Sequence, residues 1–151
     1  MKVGIIMGSK SDNEYADESV GILKDFQIDY EVKVISAHRN PQGLKEFTEA
    51  AIDNGFKVLI GIAGGSAALP GALASWTTLP IIGVPVGSSA LGGIDSLLSI
   101  AQMPPGIPVA SMAVGQWGAR NAALYAVQIL ALTDKKTREK YEEYRQSLRS
   151  K

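Results

Sequence analysis

Lys57-Val58-Leu59-Ile60-Gly61-Ile62-Ala63, followed by Gly64-Gly65-Ser66, is the stretch on which the fold turns. From Val58 to Ala63 it is apolar throughout and rich in β-branched residues, as a strand covered on both faces must be. Working outward, four further short Val/Ile-rich runs occur: Lys2 to Met7, Tyr30 to Ile35, Pro80 to Val84 and Pro108 to Val114. Glu31-Val32-Lys33-Val34 alternates instead of running apolar, which marks it as nearer an edge. Segments of helical period separate these runs, and the alternation predicts an α/β domain around a parallel sheet of about five strands.

The expected helices run from Asp12 to Phe26, Pro41 to Asn54, Ala67 to Trp76, Ile94 to Gln102 and Ala119 to Leu132. Ser11-Asp12-Asn13-Glu14 has the spacing of a capping box. Asn40 stands at an N-cap position, Pro41 at the first helical position and Gly55 past the end. Beyond residue 132 the chain becomes highly charged, with Thr137, Tyr141, Tyr144 and Leu148 forming one helical stripe. Residues 1–132 therefore read as the α/β domain and 133–151 as an added amphipathic helix. Its stripe packs either on its own domain or on a neighbouring subunit, and the sequence does not choose between them.

Composition narrows the function classes. The 151 residues carry 15 Lys plus Arg against 15 Asp plus Glu, so no net field gathers nucleic acid or anionic lipid. There is no cysteine, which excludes disulfides, thiolate zinc and cysteine nucleophiles and suits a reducing cytoplasm. The single histidine, His38, rules out a multi-histidine metal site within one chain. Nothing reads as a signal peptide or membrane span, because Gly and Pro interrupt the long weakly charged region from Val58 to Met112.

In an open parallel sheet, ligands bind beyond the carboxyl ends of the strands. Those positions hold Gly8-Ser9-Lys10-Ser11-Asp12, then Ser36-Ala37-His38-Arg39-Asn40, then Gly64-Gly65-Ser66, then Pro85-Val86-Gly87-Ser88-Ser89. The first offers hydroxyls and helix-terminal amides to a phosphate or ribose, although it is neither a P-loop nor a dinucleotide fingerprint; simple capping by Ser11 or Asp12 is the bland reading. His38-Arg39 pairs a group that gives and takes protons near neutrality with a guanidinium suited to an anion. The alternative is that Arg39 pairs with a helix carboxylate and His38 closes the turn. Gly64-Gly65 lets a planar ligand approach the backbone, or simply makes a tight turn. Gly92-Gly93-Ile94-Asp95-Ser96 and the proline-rich Gln102 to Pro108 are further candidates, the latter as a rigid pocket wall.

Met7-Gly8-Ser9-Lys10-Ser11-Asp12, Ser36-Ala37-His38-Arg39-Asn40-Pro41, Leu69-Pro70-Gly71, Gly83-Val84-Pro85, Asp95 through Pro104, and Gly106-Ile107-Pro108-Val109-Ala110 fall in an order that resembles a family of bacterial purine-synthesis enzymes. These enzymes form 4-carboxyaminoimidazole ribonucleotide, and the likeness is strongest to the N5-carboxyaminoimidazole ribonucleotide mutase branch. The resemblance implies a three-layer, flavodoxin-like or Rossmann-like fold and a small ribonucleotide substrate. It also implies no cofactor, no metal, and a cytoplasmic homo-oligomer, an octamer in which the terminal helix reaches a neighbour.

By the same resemblance His38 is the acid/base, Ser9 and Asp12 bind the ribose phosphate end and Arg39 holds the phosphate. Gly8, Ser11, Ser36, Ala63, Gly64, Gly65, Ser66 and Leu69 complete the substrate pocket. Ala68 departs from the pattern, since the mutase branch has a histidine there, and Ala72 replaces a methionine. A related branch that carboxylates aminoimidazole ribonucleotide directly with carbon dioxide also lacks that histidine and has a serine where Ser66 stands. It differs, however, at Arg39, near Gly65 and around Asp95 to Met103. Direct carboxylation is therefore the alternative reading. A non-catalytic nucleotide-binding module is a remote one, because Gly8-Ser9 and Gly64-Gly65 stand where a receiver domain needs acidic residues.

Overall fold

The computed structural model describes residues 1–150. Five parallel strands, β1 (Lys2–Met7), β2 (Asp29–Val34), β3 (Phe56–Gly64), β4 (Ile81–Val86) and β5 (Ala110–Ser111), pair in the order β2-β1-β3-β4-β5. Six α-helices accompany them: α1 (Asn13–Asp25), α2 (Pro41–Glu49), α3 (Leu69–Trp76), α4 (Ile94–Ala101), α5 (Gln116–Ala131) and α6 (Lys135–Arg149).

Period-two alternation along the inner strands sorts their side chains into two cores. Val3, Ile5, Met7, Val58, Ile60, Ile62, Ile82, Val84 and Val86 meet the apolar residues of α1 and the alanine-rich face of α5. Ile6, Leu59 and Ile81 face the other way, onto Leu44 of α2, Leu69 and Leu73 of α3 and Ile100 of α4. Gly61 and Gly83 are register partners on that second face. A Cβ on Gly83 would lie 2.4 Å from Ile100 Cγ2, and one on Gly61 3.2 Å from Pro70 Cγ. The paired glycines thus let α3 and α4 settle close to the sheet, which places their N-termini at its carboxyl edge.

β2 lies at the edge, half-buried to exposed along its length, as its alternation predicted. Several boundaries shift. β5 is two residues long, not the span Pro108 to Val114, because the chain leaves β4 after pairing Ile82 with Ala110 and Gly83 with Ser111. The second helix stops at Glu49, short of Asn54, although Asn40 Oδ1 accepts from Gly43 N at 3.0 Å as the cap requires. The third begins at Leu69 because Ala67 has φ of 40°, outside the helical region. The Ser11-Glu14 capping box does not form: Ser9 is the cap, of a short 3₁₀ turn over Lys10–Asp12 that leads into α1.

The terminal helix opens with Asp134 accepting from Thr137 N at 2.7 Å. Tyr141 and Tyr144 stack about Phe26, with ring centroids 6.2 and 5.7 Å from it, so part of the stripe is covered within the same chain. Arg138 donates to the Ala131 and Leu132 carbonyls at 3.0 and 3.1 Å, which ties α6 to the end of α5. Leu148 remains 47% exposed. No described helix is long and apolar enough to cross a membrane.

Candidate active site

Strand order reverses between β1 and β3, and the loops leaving those two strands diverge to opposite sides of the sheet. The crevice between them is a cavity of about 350 Å³ lined by Gly8, Ser9, Ser11, Asp12, Ser36, Ala37, His38, Arg39, Ala63, Gly64, Ala67, Ala68, Leu69 and Ser88. Ten of the twelve residues singled out from sequence line it: His38, Gly8, Ser9, Ser11, Asp12, Ser36, Arg39, Ala63, Gly64 and Leu69. Gly65 and Ser66 do not. Gly65 makes the turn with φ of 61°, and the exposed Ser66 offers its carbonyl to the Ser99 hydroxyl.

The polar half is held together by its own hydrogen bonds. Ser11 N and Oγ both donate to Ser9 Oγ, at 3.3 and 3.0 Å, and Ser11 Oγ also approaches Asp12 Oδ1 at 3.3 Å. The Asp12 residue is only 7% exposed. Burial raises its carboxyl above the ordinary carboxylate value, while hydrogen bonds from the Ser11 side chain and the Ser9 backbone pull the other way. Arg39 Nη2 donates to the Gly8 carbonyl at 3.0 Å and Nε to Ser36 Oγ at 3.3 Å. That settles the alternative for Arg39: it joins the loops after β1 and β2 and pairs with no helix carboxylate within the salt-bridge distances of the described residues. His38 and Arg39 are exposed at the cavity's mouth, so imidazole and guanidinium are open to a ligand.

The other half is small and apolar. Ala63, Gly64, Ala67, Ala68 and Leu69 form its floor and wall. A Cβ on Gly64 would lie 1.9 Å from Ser88 Oγ and 2.8 Å from Ser88 Cβ, so glycine there is required by the serine above it. Ala67 was not singled out from sequence; Ala37 and Ser88 stood in the strand-end loops without being assigned to the pocket, and Ala68 was noted as the position where the mutase branch has a histidine. Ser88 follows β4, and its place in a loop at a strand's carboxyl end was the available signal.

The proline-rich segment lies elsewhere. Gly106, Ile107 and Pro108 line a separate trough with the chain from Thr77 to Ile82, not the wall of this cavity. Asp95 also stays outside; it accepts from Ser89 Oγ at 2.6 Å. No group of three or more His, Asp or Glu among the described residues is arranged to hold a metal.

Fold and site together define a doubly wound, flavodoxin-like α/β domain with one polar and one apolar half to the cleft at its switch point. The chain belongs to the AIR carboxylase family, whose model matches residues 2–151. It is 54% identical over 148 residues to the N5-carboxyaminoimidazole ribonucleotide mutase of Pyrococcus abyssi, covering 98% of this chain and 84% of that one. The Escherichia coli protein of the same name is 48% identical over 146 residues, with 97% and 86% covered. Among solved structures, Treponema denticola PurE superimposes with a TM-score of 0.90 at 31% identity, covering 99% of this chain and 92% of that one.

Proposed function

We propose that this chain is an isomerase of purine biosynthesis that converts N5-carboxyaminoimidazole ribonucleotide to 4-carboxyaminoimidazole ribonucleotide. The names of its relatives support the reaction. The observation that carries it to residues is the cavity joining His38 and Arg39 to Ser9, Asp12 and the Gly64 turn.

Arg39, Ser9 and the amides of the first loop hold the phosphate, with the ribose toward Asp12. The imidazole ring then lies beside the Gly64 turn, between the polar loops and the small apolar wall. His38 in its protonated form gives a proton to the exocyclic nitrogen as the N–C bond to the carboxyl group breaks, which releases carbon dioxide and leaves the neutral amine. Ring carbon four then attacks the carbon dioxide held against Ala67, Ala68 and Leu69. The carbon–carbon bond forms, and neutral His38 removes the ring proton. The proton returns to its starting point and the sum is an isomerisation. A small apolar half limits escape of the freed gas.

The assembly we propose is a cytoplasmic homo-oligomer, an octamer, with residues 1–132 as the catalytic unit and the C-terminal segment 133–151, which carries α6, extending toward a neighbour. Its support is the apolar surface at Leu91 (65% exposed), Ile94 (63%), Leu98 (55%) and Trp117 (80%).

The test is to supply protein without ATP with either the N-carboxylated ribonucleotide or the uncarboxylated one plus bicarbonate. Mutase activity consumes the first at low carbon dioxide. Preferential consumption of the second would make the chain a direct carboxylase, and consumption of neither would make it a binding module.

A further inference from the structure

Ser88 is the feature of the cavity that the reaction above leaves unused. Its side chain bears on the Gly64 backbone, on the apolar side, where Ala63, Gly64, Ala67, Ala68 and Leu69 supply no side-chain donor. Ser88 itself is exposed, so its hydroxyl is open to a ligand, and a carboxylate placed there gains a hydrogen bond to a charged group, stronger than one between neutral groups. The two serines of this loop are used differently. Ser89 Oγ is committed twice over, donating to Asp95 Oδ2 at 2.6 Å and accepting from Leu91 N at 3.1 Å. Among the described residues no such bond engages the Ser88 hydroxyl, whose backbone N–H closes a tight turn onto the Val86 carbonyl at 3.1 Å. Asp95 thus fixes the loop through Ser89, and the fixed loop presents Ser88 to the cavity.

We infer that Ser88 is a substrate-contacting specificity residue whose hydroxyl donates to the migrating carboxyl group, with the Ser89–Asp95 pair positioning it. This inference rests on the proposed reaction and adds to it a side-chain donor at the reacting end, opposite the phosphate anchors. The contact exists only when the ligand carries the carboxylate, so it separates carboxylated from uncarboxylated ribonucleotide and not one phosphate from another.

Calorimetric titration of the wild-type protein, Ser88→Ala and Ser88→Thr with 4-carboxyaminoimidazole ribonucleotide and with uncarboxylated aminoimidazole ribonucleotide tests it. Ser88→Ala should weaken the carboxylated ligand about tenfold or more, as loss of a hydrogen bond to a charged group does, and leave the other within about twofold. Ser88→Thr keeps the hydroxyl and should keep the wild-type ratio. Equal weakening of both ligands by Ser88→Ala, no weakening of either, or a Thr variant that behaves as Ala would overturn the inference while leaving the proposed reaction standing. A wild-type protein that binds neither ligand would refute the reaction itself, and the inference with it.

Discussion

The Arg39 guanidinium donates to the Gly8 carbonyl across 3.0 Å, which binds the loop after the edge strand to the loop after the neighbouring one. A single side chain therefore shapes the polar half of the cleft and leaves donors for an anion. Replacing it by alanine should remove both effects. Affinity for the ribonucleotide should fall by about 1.5–3 kcal/mol, roughly 10- to 150-fold in Kd. Arg39→Lys should recover little, because an ammonium lacks the planar fork that reaches Gly8, Ser36 and a phosphate together. Titration with the ribonucleotide checks both variants, and an unchanged Kd in Arg39→Ala would remove the clamp.

In the proposed reaction His38 bears on turnover and not on binding. The asparagine variant keeps a polar group at the cavity's mouth but cannot carry the proton between nitrogen and carbon. Its kcat should drop by about 10²- to 10⁴-fold, the usual range for a lost acid/base, with KM near wild type. Steady-state assay of His38→Asn decides this. Retained turnover would assign the proton to another group.

Asp12 gives the cleft a pH signature. Burial raises its carboxyl above the free-chain value of 3.8, so its contribution to folding is most favourable below that pH and is lost as pH climbs through the raised folded-state value. At pH 7 the ionised side chain is therefore a cost to the fold. Asp12→Asn should melt at a higher temperature than wild type at pH 7, with the gap closing near pH 3, while its affinity for substrate falls. Thermal melts at the two pH values check the sign; a variant less stable at neutral pH would contradict it.

How far these residues were legible follows from what periodicity and turn chemistry encode. The inner strands were plain because burial on both faces forces an unbroken apolar run, as from Val58 to Ala63. Asn40-Pro41 was equally plain, since each residue suits one position at a helix start. Ser11 was misassigned as a cap because a 3₁₀ turn precedes α1 and moves the capping role back to Ser9, a choice made by loop geometry and not by the four-residue pattern. β5 was overdrawn for a related reason: Met112, Ala113 and Val114 prolong the apolar run, but pairing ends at Ser111. The loop holding Ser88 was legible as a strand end, but the contact of Ser88 with Gly64 was not, because it crosses from the end of β4 to β3 and is fixed by sheet order.

That contact gives a further prediction. A methyl group on Gly64 would meet both Oγ and Cβ of Ser88, so rotation of the serine alone does not relieve the clash. Gly64→Ala should destabilise the protein by about 1–3 kcal/mol, the range for overpacking at a tight site. Combining it with Ser88→Gly should recover most of that loss, since both clashing atoms are removed. Urea unfolding of the single and double variants measures the coupling, and additive losses would show that the two positions do not oppose each other.

The apolar surface on α4 and at the start of α5 supports the last prediction. Ile94 and Leu98 stand four residues apart on one face of α4, 63% and 55% exposed, with Leu91 before them and Trp117 80% exposed on α5. Water contact with so many large side chains at the carboxyl edge of the sheet is costly, at about 25 cal/mol for each Å² of apolar area, and the proposed packing on a second copy of the chain would relieve it. Both α4 residues point away from the core that Ile100 enters, so charging them should leave the single chain folded. Ile94→Asp with Leu98→Asp should shift the sedimentation mass from a multiple of 16.0 kDa toward a smaller species, with far-ultraviolet dichroism unchanged. A wild-type mass of one chain would refute the proposed assembly outright, and an unaltered multimer in the double variant would move the interface to another face.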